Sequence, residues 1–149
     1  MIFSEDHQNK SQYLSVDARR NTVTNSGSND SWQTVKANQT ISFDSGNIQE
    51  FSVLVEKVEN TTNSWRFIAG VAPSSFSCVG ATQWLGIQSS WGYIAGTGGK
   101  CFNVGKSEQY ANKWISPGSL VTVRMNKATK EIEVNKLKST KISQWNVYL

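Results

Sequence analysis

Short alternating or apolar runs recur along this chain between clusters of turn-forming residues, and no segment of a dozen residues keeps a helical apolar period. That pattern predicts an all-β protein. The clearest strand is Glu50 to Val58, where Phe51, Val53 and Val55 fall on one face and Ser52, Leu54 and Glu56 on the other. Trp65 to Ala72 is apolar almost without interruption, which predicts a strand buried on both faces. Trp84 to Ile87 and Trp91 to Ala95 read as two short strands separated by the polar Gln88, Ser89 and Ser90. Shorter extended pieces are expected at Trp32 to Val35 and Gln39 to Phe43.

The turn residues connect these pieces. Gly96 to Gly99 (GTGG) predicts a turn that folds Cys101 to Val104 back on the preceding strand as a hairpin. Pro117-Gly118 opens a strand through Leu120, Val121, Val123 and Met125, and Asn126 to Lys130 (NKATK) returns the chain into Glu131 to Val134. Asn25 to Ser31 and Asn60 to Asn63 are loops by composition, and residues 1–11 are expected to be a flexible N-terminus ahead of one domain over 12–149.

Composition narrows the class. Ser, Asn, Thr and Gln supply 53 of 149 positions while charged residues make up only 17%, so the polarity is neutral and not that of a disordered polyelectrolyte. Six Trp, six Phe and four Tyr let a chain with 38% hydrophobic content close a core, because each aromatic buries a large area. The net charge of +4 is spread thinly, with only Lys136, Lys138 and Lys141 clustered, and nucleic acid is not an expected partner. No apolar stretch approaches the roughly 20 residues of a membrane helix, and MIFSEDHQNK is no secretion signal, so an intracellular, cytoplasmic address is expected. The sequons at Asn29, Asn38 and Asn60 then carry no weight.

Reactive chemistry is sparse. Nucleophilic catalysis needs a base to activate Ser or Cys, and His7, the only histidine, lies in the polar terminus. Cys78 and Cys101 lack CxxC spacing and are expected to be buried free thiols; with one histidine they make no structural metal site. Glu131 with Glu133, and Glu56 with Glu59, read as solvated strand edges and not as a glycosidase pair. GTGGK lacks the spacing of a phosphate loop and is not followed by a helix pattern. No enzyme, cofactor or metal is expected.

The order of these features resembles a SPRY, or B30.2-type, domain. Tyr13 to Val23, with LSVDARRNTV, is similar to the family's opening strand, and Gln39 to Val58 resembles its Ser-Gly turn and aromatic-led strand. WRFIAGV at Trp65 to Val71, Trp91-Gly92-Tyr93, and PGSLVTV with KEIEVN resemble the strands that follow. Ser119 stands where the family has Asp, and Lys136 where it has Gly after Asn135. The chain also stops before the family's closing Pro-containing strand, so either Gln144 to Leu149 makes that strand in shortened form or the domain is truncated.

The resemblance implies a bent antiparallel β-sandwich with a concanavalin A-like jelly-roll connection, and recognition of a protein or peptide by loops at one end. It further implies a role in substrate choice for a ubiquitin ligase, or in a scaffold. The residues themselves point to loops too: Phe76, Trp84, Tyr110 and Trp114 lie in or beside predicted loops as candidate aromatic anchors, with Arg19 and Arg20 as a grip on an acidic peptide. Trp65, Phe67, Phe51, Phe43 and Tyr93 are expected in the core. Two rival readings are a carbohydrate-binding sandwich stacking sugars on Trp84, Trp91 or Trp114, and a structural subunit of a large assembly.

Overall fold

Asn126 shows how local chemistry builds this protein: its Oδ1 accepts hydrogen bonds from the backbone N–H of Ala128 (3.0 Å) and Thr129 (3.3 Å), reversing the chain within NKATK. In the computed structural model, which describes residues 2–6, 8, 10–26, 33–38, 40–42, 46–57, 67–79, 84–104, 106–110 and 116–138, this turn joins β8 (Ser119–Asn126) to β9 (Glu131–Lys138). The two strands pair antiparallel along their whole length, as their patterns predict. Lys130 closes the turn in the left-handed region at φ 58°.

Pro117-Gly118 makes the turn before β8, with Gly118 at φ 81° and Ser119 N–H donating to the Ser116 carbonyl, the geometry of a type II turn. β8 then lies between β9 and β3 (Ile48–Val55). Phe51 stands opposite Val123 and Val53 opposite Val121, so one face of this three-stranded sheet carries Phe51, Val55, Val121, Val123 and Met125 inward. Ile132 and Val134 of β9 pack against the same cluster. Val121 and Val123 are fully buried, and each such side chain contributes roughly 1.5–3 kcal/mol. On the other face the Ser52 and Thr122 hydroxyls are 2.7 Å apart, and Glu131 and Glu133 are exposed, the solvated edge expected of them.

The second large sheet has the order β4-β5-β6-β7: β4 (Ile68–Val71), β5 (Ile87–Ile94), β6 (Gly99–Val104) and β7 (Lys106–Gln109). Ala69 of β4 joins the cluster of Phe51, Val121 and Val123, with Phe67 and Val71 beside it, so the two sheets share one apolar core. Ile94 and Cys101 are buried on the sheet's other face, where Leu85 and the Cys101 sulfur lie against Gly92. The fold is all-β and antiparallel, as the alternation predicts, with its two larger sheets sharing that core.

Four local expectations change. Trp84 to Ile87 and Trp91 to Ala95 do not form two strands. A single β5 runs from Ile87 to Ile94, and the polar residues between become an irregularity within it. Tyr13 to Val23 is not one strand but the hairpin of β1 (Leu14–Asp17) and β2 (Thr22–Asn25), because Asp17 Oδ1 accepts from the N–H of Arg19 and Arg20 and turns the chain. Trp32 to Val35 yields only an isolated bridge, Lys10 to Val35, among the described residues. The N-terminal segment, read as flexible, pairs through Phe3 with Ala37, and Ser11 Oγ donates to the Cys78 carbonyl. Phe43 and Trp65 lie outside the described residues.

Candidate functional site: an aromatic patch on the four-stranded sheet

Side chains directly opposite each other in an antiparallel ladder share a face. Val71, Trp91 and Phe102 are such a row across β4, β5 and β6, and Ala69, Tyr93, Lys100 and Glu108 form the next row through to β7. At the β4 end this face meets the core through Ala69 and Val71. Farther along it is open: Trp91 is 41% exposed and Phe102 39%, with the two rings stacked at 3.8 Å between centroids and 19° between planes.

Tyr110 follows β7 and extends the patch. Its N–H donates to the Gly98 carbonyl (3.0 Å), holding it against the β5–β6 hairpin, and its ring meets the buried Tyr93 edge-on at 6.1 Å. Tyr110 itself is 45% exposed. In the row of Tyr93, next to that of the stacked pair, Lys100 Nζ lies 3.4 Å from Glu108 Oε2 with both side chains well exposed. Such a surface ion pair adds little to stability but leaves a donor and an acceptor beside the rings.

The irregularity in β5 lies immediately before Trp91. Ser89 takes the left-handed conformation at φ 61°, and Ser90, fully buried, accepts from the Gly86 N–H (2.8 Å) while donating to the Ile87 carbonyl. This is a β-bulge, a device that re-aims the residues after it.

The anchors expected in loops divide. Tyr110 belongs to the patch. Phe76 does not: it is only 2% exposed, inside the turn closed by its own N–H bond to the Pro73 carbonyl, and a buried ring has no area to offer a partner. Trp84 is half-buried, with its ring over Gly86 near Cys101, on the face of the sheet opposite Phe102. Trp114 lies outside the described residues. Arg19 and Arg20 are exposed in the β1–β2 turn, in a two-stranded sheet that, among the described residues, pairs with neither larger sheet, and Arg20 Nε is 3.8 Å from Asp17 Oδ2. They are not brought together with the aromatics by strand pairing.

Phe102 was missed as a binding residue, and Trp91 entered only as a sugar platform. Counting outward from the GTGG turn places 91 opposite 104; in the structure Ile94 is opposite Gly99 and Trp91 opposite Phe102, so the hairpin was available in the pattern, and its register and the exposure of the two rings were not.

A cleft of about 430 Å³ opens elsewhere, lined by Gln8, Lys36, Ser74, Ser75, Ser77 and Val79 beside Phe76. Lys36 Nζ donates to the carbonyls of Phe76 (2.7 Å) and Ser74 (3.2 Å), so its charge clasps the loop. Cys78 and Cys101 are free and buried, as expected. Burial pushes both thiols up, Cys101 to about 11 against a smaller opposing effect of its Gly92 hydrogen bond, and Cys78 against the nearby Lys36 charge. Both sulfurs are thus protonated at neutral pH, the unreactive form.

No family model matches the chain, and no curated protein matches it. The site rests on its own geometry. Among the described residues, no helix is long and apolar enough to cross a membrane.

Proposed function

We propose that this chain is a non-catalytic, intracellular protein-interaction module that engages a protein or peptide segment through Trp91, Phe102 and Tyr110. The observation that carries the reading is the Trp91–Phe102 stack, two large aromatics held partly in solvent on hydrogen-bonded strands. Rings fixed by a sheet lose little freedom when a partner covers them, so more of the burial free energy appears as affinity. Trp and Tyr are also the side chains that concentrate binding energy at interfaces. Lys100 and Glu108 would supply directional hydrogen bonds at the rim. The resemblance to SPRY domains, with their jelly-roll connection and their roles in ubiquitin ligases and scaffolds, favours the same class of function, with the contact moved from loop tips to a sheet face.

The test is affinity capture with the wild type and a Trp91→Ala, Phe102→Ala, Tyr110→Ala variant. A partner retained by the wild type and lost by the variant, whose far-UV circular dichroism is unchanged, is the expected result. An identical set of bound proteins on the folded variant would refute the assignment. The carbohydrate reading keeps one supporting observation, an exposed Trp on a sheet face beside polar groups. Glycan-array binding abolished by Trp91→Ala would favour it over the protein partner.

A further inference from the structure

The ladder between β5 and β6 does not keep one register. Ile87 is opposite Val104, and Trp91 is opposite Phe102, so four steps along β5 are matched by two along β6. β5 therefore holds two surplus residues between these pairs. Had the strands continued in the register of Ile87 and Val104, Ser89 would face Phe102, and Trp91 would face Lys100 in place of Tyr93. Either register keeps the same side chains on the same face, because a shift of two preserves the alternation. Burial thus discriminates poorly between them, and something local has to choose.

We infer that Ser90 makes that choice: its hydroxyl locks the bulge and so sets Trp91 on Phe102. The geometry supports this at three points. Ser90 is fully buried, and its one hydroxyl serves both Gly86 N–H and the Ile87 carbonyl, tying the start of β5 to the surplus residues. Ser89 takes the left-handed turn that absorbs the extra length. Beyond the bulge the ladder is regular from Trp91–Phe102 to Ile94–Gly99, so a slip at Ser90 would carry the whole second half of β5 with it. Ser90 is a positioning residue and touches no partner. The register argument stands by itself; its consequence for binding rests on reading the stacked rings as the contact surface.

The experiment is cross-strand nuclear Overhauser contacts in the full chain, read for Ser90→Ala and for a chain lacking Ser89 and Ser90. In the wild type, Trp91 ring protons contact those of Phe102. Ser90→Ala is expected to weaken those contacts at least twofold and to bring in Trp91–Lys100 and Ser89–Phe102 contacts. The deletion removes the surplus, so Ile87 and Trp91 fall in one register with Val104 and Phe102, and the Trp91–Phe102 contacts return at wild-type intensity without any Ser90. A Ser90→Ala chain that folds with wild-type contacts overturns the proposal. So does a deletion chain that fails to fold, or folds with Trp91 opposite Lys100; if Ser90→Ala does not fold, the deletion decides alone. Contacts that behave as expected while captured partners are unaffected would leave the register device standing and refute the contact surface.

Discussion

Gly70→Ala tests the packing of the second sheet most sharply. Gly70 faces Gly92 across β4 and β5, and a Cβ on Gly70 would fall 1.9 Å from the Trp91 carbonyl oxygen and 2.8 Å from the Gly92 Cα. Ordinary contact is 3.4–4 Å, and both obstacles are backbone, so no rotamer change can yield. Ala95 N–H bonds to the Phe67 carbonyl, and by alternation the hydrogen-bonded pairs are Ala69–Tyr93 and Val71–Trp91, with Gly70–Gly92 the narrow pair between them. Opening the ladder weakens two neighbouring bonds at about 1 kcal/mol each. Strain adds about 1–3 kcal/mol, for a total cost of about 3–5 kcal/mol. Urea denaturation followed by circular dichroism measures it as a fall in midpoint at constant slope. Gly118→Ala is the control: nothing lies within 4 Å of its added Cβ, but φ is 81°, so only the left-handed penalty of about 1–2 kcal/mol applies. If Gly70→Ala costs no more than Gly118→Ala, the close approach of β4 to β5 is wrong.

Phe76→Ala is expected to cost about 3–5 kcal/mol in the same assay and to leave capture by the folded fraction unchanged, because the ring is core. Lys130→Gly should stabilise by roughly 0.5–1 kcal/mol: glycine relieves the left-handed strain at φ 58° while giving back part of the gain as chain entropy. Cys101 gives a pH dependence. Its folded value is raised from 9.0 to about 11, so its contribution is complete below pH 9 and is lost as pH rises through 11. Denaturation between pH 8 and 11 should therefore show a loss on the order of 2–3 kcal/mol that is missing in Cys101→Ala; equal slopes in the two proteins would contradict it.

Much of the fold was legible because its determinants are local. The alternation in β3, the Pro117-Gly118 turn and the Asn126 side chain that reverses the chain into β9 are each contained within a few residues. The β5–β6 hairpin followed from GTGG for the same reason. Less local features were not legible. β7, with the sequence KSEQ, has no apolar signal and is a strand because β6 offers it a hydrogen-bonding edge. Gln88, Ser89 and Ser90 within β5 read as a break between two strands, since composition does not reveal that two surplus residues can be absorbed by a left-handed Ser89 and a bonded Ser90.

The same division runs through the aromatics. The chain by itself determined that they alternate on strands and that Cys101 to Val104 folds back on the strand of Trp91, because period and the presence of a turn are one-dimensional facts; the register that sets Trp91 on Phe102 was not among them. Which rings are wetted was decided by the tertiary structure alone. The three-stranded sheet covers the β4 side of its neighbour and leaves Trp91 and Phe102 partly in solvent, while the loop ring Phe76 is enclosed. Exposure depends on what lies across from a side chain, and strands distant in sequence supply that.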